Sequence, residues 1–275
     1  MKRKRPKVKL REIAARLEAA GIEDAGYEAS VLVEHFEGDS RAAQLAFDRD
    51  YTGDALLSAV SRREKREPLQ YIMGCWDFMG YTFKVTPDTL IPRSDTELLC
   101  EFLVKNLPRG GRFADLCTGS GCIPIAALNM REDATGVCVE LYPETLKVAR
   151  ENGDAHKVGE RLEYILGDVT QDVLEGEFDI IVSNPPYVTL EEMNGISPEV
   201  EKEPKHALTD GGDGLSIIRK IIEIYPRHIK AGGYLAIEFG WKQGEAAVEI
   251  AEKFGFESEI LRDLEDRDRV IVIKL

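Results

Sequence analysis

Residues 112–121 read "RFADLCTGSG", a short strand pattern that runs into a loop with two glycines, and the apolar segment "CIPIAALNM" follows directly. A strand, a glycine loop and a helix in this order are typical of the first unit of a parallel α/β sheet. Gly119 and Gly121 would allow the backbone to approach a ligand closely. Position 124 is a proline where dinucleotide-binding loops have their third glycine, which disfavours a diphosphate cradle.

Strand and helix patterns alternate from residue 112 onward, which predicts an α/β fold with a mostly parallel, seven-stranded sheet. The predicted strands lie in "RFADLC", "ATGVCVE", "LEYILGD", "FDIIVSN", "YLAIEFG", "FESEILRDL" and "RVIVIKL". The last two strand patterns follow each other with no helix pattern between them. We therefore expect them to pair as a hairpin at the edge of the sheet.

The N-terminal part of the chain has a different pattern. Residues 10–70 predict a small helical domain, with helices in "LREIAARLEAAG", "YEASVLVEHFEG" and "DALLSAVSRREKRE". Residues 71–95 contain alternating apolar and polar positions with several aromatic residues, which predicts a β-hairpin linker. Residues 96–275 form the predicted sheet domain, and its first helix is expected to begin in "TLIPRSDTELL" with Ser94 or Asp95 as its cap.

The charge is distributed unevenly along the chain. The 275 residues carry a formal charge of −14, yet residues 1–9 hold six basic side chains and no acidic one. We expect this basic tail to be solvated. The remainder has a charge of −20, because 30 basic side chains are set against 50 acidic ones. Such a body would repel a nucleic acid backbone, so no direct DNA binding is expected.

Cysteine and histidine usage indicates the compartment. The five cysteines show no Cys-x-x-Cys spacing, and the four histidines lack the spacing of metal ligands. We therefore expect no structural metal and interpret the cysteines as thiols in a reducing environment. No apolar run is long enough to span a membrane. The sequence thus predicts a cytoplasmic protein that does not contact a membrane.

Three acidic residues stand at the ends of successive predicted strands, where open α/β sheets bind their ligands. Asp115 precedes the glycine loop, Glu140 ends the second strand 25 residues later, and Asp168 follows the third. Each acid alone could belong to a turn or cap a helix. Together they can accept hydrogen bonds from ribose hydroxyls and an exocyclic amine. This combination predicts a pocket for a nucleoside with a cationic tail that lacks phosphate, and S-adenosylmethionine has this chemistry.

The fourth predicted strand ends in "VSNPPYV", residues 182–188. Asn and Pro are common in turns, so the segment could be a turn only. Beside a methyl donor, however, it could orient a planar nitrogen. The Asn184 side-chain oxygen can accept one N–H and the Pro185 carbonyl the other, while Tyr187 offers a face for a flat group. The segment therefore predicts methyl transfer to an amide or aromatic amine nitrogen by direct displacement.

"NPPY" after a strand, together with "DLCTGSG", resembles the class I methyltransferases that modify planar nitrogens. "EPLQYIMG", "TLIPRSDTELL", "EPKHALTDGGDGLSIIR" and "EFGWKQGEA" resemble more narrowly the glutamine N5-methyltransferases of peptide chain release factors, over nearly the whole chain. The resemblance implies transfer of a methyl group from S-adenosylmethionine to the side-chain amide of the glutamine in a Gly-Gly-Gln motif. It implies a release factor as protein partner, which we expect residues 10–70 to dock.

The predicted site residues form two groups. Those expected to bind S-adenosylmethionine are Asp115, Cys117, Thr118, Gly119, Ser120, Gly121, Glu140, Asp168, Val169 and Asn184. Those expected to hold the substrate amide are Asn184, Pro185, Pro186 and Tyr187, of which all but Pro186 are also assigned to catalysis. Two residues depart from the family pattern. Cys117 stands at a loop position that is usually glycine, and Val169 stands where a larger side chain that contacts adenine can occur.

Other functions remain open at the level of sequence. Glutamine methylation of a ribosomal protein uses the same chemistry, and only "RSDTELL" favours a release factor. Methylation of adenine N6 or guanine N2 in nucleic acid would present the same planar nitrogen, but the charge of −20 disfavours it. A non-catalytic adaptor is disfavoured because Asn184 and the glycine loop are intact.

Overall fold

The computed structural model describes residues 7–46 and 49–275. The chain folds into two compact units. The first unit, called the helical unit, contains the chain up to Cys75 together with Ser197–Lys202. The second, called the sheet unit, contains Trp76–Ile196 and Glu203–Leu275.

The helical unit has five α-helices within its described residues. They are α1 (Leu10–Ala19), α2 (Ala25–Glu37), α3 (Arg41–Ala46), α4 (Asp54–Arg63) and α5 (Leu69–Met73). The three predicted helices correspond to α1, α2 and α4, whereas the short α3 and α5 were not predicted. Ile13 and Leu17 of α1 and Leu32 of α2 are fully buried in a separate apolar core, as their helical spacing indicates.

The predicted basic tail is described only in its last residues. Residues 1–6 lie outside the described part of the chain, so the expectation that they are solvated is not tested. Val8 is buried and exchanges backbone hydrogen bonds of 3.0 and 2.8 Å with Tyr51. Lys7 lies 3.1 Å from the Asp50 carboxylate. The packing of the helical unit therefore begins before its first helix.

The sheet unit begins within the β-hairpin of β1 (Cys75–Phe78) and β2 (Tyr81–Lys84), which lies within the segment predicted to contain it. Helix α6 (Glu97–Asn106) follows a 3₁₀ turn at Ser94–Thr96. The prediction that Ser94 or Asp95 caps this helix is wrong, because both belong to that turn. Asp95 instead pairs with Arg269 at 2.9 Å.

The remaining strands form one seven-stranded sheet, as predicted. They are β3 (Arg112–Leu116), β4 (Thr135–Glu140), β5 (Leu162–Leu166), β6 (Phe178–Ser183), β7 (Ile229–Glu238), β8 (Ser258–Arg262) and β9 (Asp268–Lys274). Their order is β5-β4-β3-β6-β7-β9-β8, and β9 is antiparallel to both neighbours. The predicted hairpin of the last two strands is confirmed, with β8 at the edge and β9 beside β7.

Helices cover both faces of this sheet: α7 (Cys122–Met130), α8 (Pro143–Ala155), α9 (Ser216–Ile224) and α10 (Gly244–Lys253), together with α6. The pleat sends neighbouring side chains to opposite faces, so Phe113 and Ala114 of β3 belong to different apolar cores. The chain runs outward from β3 to β5 and then returns to place β6 on the other side of β3. The strand order reverses between β3 and β6, where open α/β sheets hold their ligands.

No helix of the described residues has the length and apolar character needed to cross a membrane. No three or more of their His, Cys, Asp and Glu side chains are grouped as a metal site.

Candidate active site

A cavity of about 270 Å³ opens at the carboxyl ends of β3, β4, β5 and β6. It brings together most of the residues that the sequence predicts for the site. Those in its lining are Cys117, Thr118, Gly119, Ser120, Glu140, Asp168, Val169, Asn184 and Pro186. The other predicted residues, which are not part of the lining, are Asp115, Gly121, Pro185 and Tyr187.

The glycine loop turns sharply because three of its residues have positive φ. Gly119 and Gly121 have φ of +57° and +79°, and Cys117 has φ of +62° although it carries a side chain. A left-handed residue at position 117 explains physically why glycine suits that position. A Cβ on Gly121 would lie 2.9 Å from the Ile125 side chain, whereas one on Gly119 would meet no atom within 4 Å and would extend into open space.

Glu140 is the second acid of the predicted set, and it is fixed by backbone donors. Its Oε2 accepts the N–H of Gly119 at 3.0 Å, and its Oε1 accepts those of Leu141 at 2.9 Å and Tyr142 at 3.1 Å. Burial raises the pKa of Glu140, and these three N–H groups act against that shift. A carboxylate has about four acceptor positions, so about one remains for a ligand in the cavity.

Asp115 lies beneath the glycine loop and is fully buried. Its Oδ2 accepts the Thr118 hydroxyl at 2.6 Å, so the carboxyl supports the loop from below. Burial raises the pKa of Asp115 to about 7, and the bond from Thr118 opposes this effect. Its Oδ1 is buried and has no hydrogen-bond partner among the described residues.

Asp168 follows β5 and forms a local turn. Its Oδ1 accepts both the backbone N–H of Thr170 at 2.9 Å and the Thr170 hydroxyl at 2.8 Å. This is an Asx turn, in which an aspartate side chain accepts a hydrogen bond from the backbone N–H two residues further along the chain. Asp168 and the neighbouring Val169 nevertheless line the cavity, and Val169 is buried against the apolar core.

Asn184 follows β6. It lies on the other side of β3 from Glu140, which ends β4. Its Nδ2 donates a hydrogen bond of 3.0 Å to Thr96 Oγ1. The Ser183 hydroxyl just before it donates to the Leu116 carbonyl at 2.8 Å, which ties the end of β6 to β3. The nitrogen of the Asn184 amide is thus engaged by Thr96, which leaves its oxygen as the available acceptor.

The segment after Asn184 is held from outside the cavity. The Tyr187 hydroxyl donates to Glu238 Oε1 at 3.0 Å, and burial raises the pKa of Tyr187. Gln243 Nε2 donates to the Tyr187 carbonyl at 3.0 Å. Gly214, with φ of +73°, comes so close that a Cβ there would lie 2.0 Å from the same carbonyl oxygen. Two quoted motifs, "EPKHALTDGGDGLSIIR" and "EFGWKQGEA", thus contribute residues that support this segment.

Sequence reasoning assigned no site role to several residues in the cavity wall. Tyr142 and His206 both line the cavity and stack with ring centroids 3.6 Å apart, and burial lowers the pKa of His206. Thr96 and Arg93 also line it, and Arg93 forms an ion pair with Glu203. Apart from Tyr142, these side chains lie within quoted motifs, and those motifs are the only signal by which they could have been found.

Comparison with known proteins defines the class first. Residues 94–232 match the family model "Methyltransferase small domain", and residues 9–74 match "PrmC N-terminal domain". A crystal structure of a methyltransferase from Pyrococcus furiosus is similar with a TM-score of 0.53 and 20% identity, covering 70% of this chain and 87% of that one. That likeness concerns the fold alone. The matched model and the fold are those of a class I methyltransferase.

Two curated relatives narrow the class. A release factor glutamine methyltransferase from Cereibacter sphaeroides is 38% identical over 97% of this chain and 97% of its own length. Another from Geobacter sulfurreducens is 36% identical over 86% of this chain and 84% of its own length. The chain belongs to the release factor glutamine methyltransferase family. It is therefore an enzyme, as the sequence predicts.

Proposed function

We propose that this enzyme transfers the methyl group of S-adenosylmethionine to the side-chain amide nitrogen of a glutamine in a peptide chain release factor. One observation carries the substrate assignment. The Asn184 nitrogen donates to Thr96 at 3.0 Å, so the Asn184 oxygen is left to accept an N–H from a substrate amide at the cavity wall. The names of the relatives support a release factor as the protein that bears this glutamine.

The residues around the cavity fit S-adenosylmethionine. Glu140 offers an acceptor for a ribose hydroxyl, and Asp168 offers one for the adenine amine. Gly119 lines the cavity with its backbone and has no side chain that would take up space beside it. These acids, with Asp115 beneath the loop, also make the surroundings favourable for a positive charge. When bound, the cofactor supplies an electrophilic methyl group on a positively charged sulfur.

The protein's contribution to the reaction is to orient the amide. Asn184 Oδ1 accepts one N–H of the glutamine, and the Pro185 carbonyl accepts the other, which fixes the plane of the amide. Alignment of this kind supplies a large part of the acceleration in a displacement reaction. In the exchange one hydrogen of the amide nitrogen is replaced by methyl and leaves as a proton. Tyr187 holds Glu238 in the structure, and its role as a face for the amide stays a prediction.

The proposal is tested by mass spectrometry of a release factor after incubation with enzyme and S-adenosylmethionine. We expect one added methyl group on the glutamine of the Gly-Gly-Gln motif that the family resemblance implies. The matched control is a release factor with glutamate at that position, which should be rejected by a factor of about 10⁴. Adenine-containing DNA and a ribosomal protein serve as competing substrates. Modification of the glutamate variant, or preferential modification of either competitor, would contradict the proposal.

We also propose that the helical unit docks the release factor. The cavity lies within the sheet unit, and the helical unit has its own apolar core, which supports a separate task. A chain of residues 76–275 should keep its affinity for S-adenosylmethionine and lose most activity on the intact release factor. Full activity would mean that the helical unit only stabilises the protein.

The truncated chain needs one adjustment. Glu199 belongs to the helical unit by its contacts, and it pairs with Arg63 at 2.8 Å and Arg66 at 2.6 Å. Removal of both arginines would leave its carboxylate without these partners. Glu199→Gln in the truncated chain avoids this unpaired charge. The same substitution in the full chain is the control for its own effect on activity.

The cysteines indicate the compartment in which the enzyme acts. All five cysteines are free. Free thiols, several of them buried, fit a reducing compartment, so we infer that the enzyme acts in the cytoplasm.

A further inference from the structure

Arg93 lines the cavity, and the proposed reaction assigns no role to it. The lining contains three carboxylates, those of Glu140, Asp168 and Asp210. Within the described residues, Arg93 is the only lysine or arginine in the lining. His206 also lines the cavity, but burial lowers its pKa and disfavours its charged form. Arg93 is therefore the main source of positive charge in the cavity wall.

One edge of the Arg93 guanidinium is held by Glu203, whose side chain is 1% exposed. Nη2 of Arg93 donates to Glu203 Oε1, while Glu203 Oε2 accepts the backbone N–H of Ile91 at 3.0 Å. A guanidinium has five N–H donors, and Nε and Nη1 of Arg93 bond no other described residue. The ion pair thus fixes the position of the guanidinium and leaves donors for a second carboxylate.

The proposed placement of S-adenosylmethionine determines where its amino-acid part begins. The adenosine is assigned to Glu140, which ends β4, and to Asp168, which follows β5, while the methyl group has to face Asn184 after β6. The order of these strands is β5-β4-β3-β6, so the ligand extends across the end of β3. The amino-acid part is bonded to the same sulfur as the methyl group. It therefore begins beside Asn184.

Arg93 belongs to this side of the cavity. Asn184 Nδ2 donates to Thr96 Oγ1 at 3.0 Å, and the Thr96 N–H donates to the Arg93 carbonyl at 3.2 Å. These three residues thus form a connected part of the wall. The carboxylate of the amino-acid part is the only anionic group of S-adenosylmethionine, and it enters a cavity with three acidic side chains in its lining. A cationic partner is needed to offset their repulsion.

We propose that Arg93, held by Glu203, binds the carboxylate of the amino-acid part of S-adenosylmethionine. This inference rests on the proposed function. A guanidinium presents parallel N–H groups that match the two oxygens of a carboxylate. The contact fixes the end of the ligand opposite the adenine and thereby helps to direct the methyl group towards Asn184. It also distinguishes the cofactor from nucleosides that lack the carboxylate.

The test measures the binding of two ligands to the enzyme alone. The probes are S-adenosylhomocysteine and its decarboxylated analogue, which keeps the amine. Calorimetry gives both dissociation constants for the wild type and for Arg93→Gln. We expect Arg93→Gln to weaken the binding of S-adenosylhomocysteine by about tenfold or more. It should weaken the binding of the analogue by no more than about threefold, because the analogue has no carboxylate for Arg93 to bind.

Two further variants serve as controls. Arg93→Gln leaves the buried Glu203 carboxylate without its cationic partner, so the double variant Arg93→Gln, Glu203→Gln is also measured. It should show the same change in the ratio of the two dissociation constants. Arg112→Gln is the matched control, because the Arg112 side chain is 38% exposed, pairs with Glu163 at 3.5 Å and lies outside the cavity lining. It should leave both dissociation constants unchanged.

Equal weakening of both ligands in Arg93→Gln and the double variant would overturn the inference, since Arg93 would then only tie "TLIPR" to "EPKHAL". Binding of both ligands as in the wild type would overturn it as well. If the wild type does not bind S-adenosylhomocysteine, the cofactor assignment of the proposed function is wrong, and this inference is wrong with it. If the wild type binds it and does not methylate a release factor, only the proposed substrate is wrong.

Discussion

The two sides of the cavity hold their key polar atoms by different means. On the side of β4, Glu140 is fixed by three backbone N–H groups at 2.9–3.1 Å. On the side of β6, Asn184 is fixed by the side chain of Thr96, which lies 88 residues away in sequence. Backbone donors survive most substitutions, whereas a side-chain bond depends on one residue. The β4 side should therefore tolerate more change than the β6 side, and the substitutions below test this difference.

Asn184→Ala should have the largest effect. It removes the proposed acceptor for the substrate amide, and loss of alignment alone can reduce a reaction rate by about 10²-fold. We expect turnover to fall by at least that factor, while the affinity for S-adenosylmethionine stays within about twofold of the wild type. Enzyme assays and calorimetry measure the two quantities. Asn194→Ala, on an exposed turn, is the matched control. Near-normal methylation by Asn184→Ala would mean that "NPPY" is only a turn.

Glu140→Ala should mainly affect the cofactor. Loss of a charge-assisted bond to the ribose weakens affinity on the order of 1.5–3 kcal/mol. The loop also loses the acceptor of its Gly119 N–H, so part of this loss will come from a less ordered loop. Calorimetry measures the affinity, and Glu144→Ala, an exposed carboxylate in the first turn of α8, is the control. Unchanged affinity in a folded Glu140→Ala variant would place the ribose elsewhere.

The β4 side was also the more predictable from sequence. Gly119 and Gly121 follow a strand, and Glu140 ends the next, so a local pattern carries each residue. The same holds for the sheet, because buried parallel strands appear as short apolar runs such as "FDIIVSN", which contains β6. Helix α5 was missed, since five residues are too few to display a helical period.

The β6 side was predictable only in part. "NPPY" identified Asn184, but the residues that hold it gave no local signal. Thr96 and Asn184 are 88 residues apart in sequence, and the side-chain hydrogen bond between them leaves no periodic pattern. Asp95 shows the same limit, because it looks like a helix cap and instead pairs with Arg269 of β9. Such networks require the folded structure to bring the partners together.

Glu238→Gln should affect stability in a way that depends on pH. Burial raises the pKa of Glu238 to about 7 from an ordinary value of 4.5. The folded state therefore keeps this proton over a pH range in which the unfolded state has lost it. Protonated Glu238 therefore contributes to the free energy of unfolding at low pH. This contribution declines as pH rises from about 4.5 to 7. Glutamine does not titrate, so from pH 5 to pH 8 the difference in free energy of unfolding should shift in favour of the variant by about 2–3 kcal/mol.

Denaturant unfolding at both pH values measures this shift. The titratable groups facing Glu238 are Tyr187, Arg269 of β9, Asp95 of the 3₁₀ turn and Cys122 of α7. They are the same in both proteins, as is Asp115, so their own titration largely cancels in the difference. A difference that does not depend on pH would show that Glu238 ionises near its ordinary pKa.

Cys117→Gly should have the smallest effect. It directly tests the glycine loop, whose Gly119 N–H helps to hold Glu140 on the β4 side. A residue with a Cβ at φ of +62° is strained by about 1–2 kcal/mol, and glycine removes that strain. Glycine also gives the unfolded chain more freedom, which costs about 0.5–1 kcal/mol. The two effects oppose each other, so the free energy of unfolding should change by less than about 1 kcal/mol and cofactor affinity by less than about threefold. Cys117→Val is the contrast, because a β-branched side chain is disfavoured at positive φ and should destabilise the protein by more than about 1 kcal/mol. Equal stabilities of the glycine and valine variants would mean that the loop does not depend on the backbone conformation at Cys117, and that its rigidity comes from side chains, as on the β6 side.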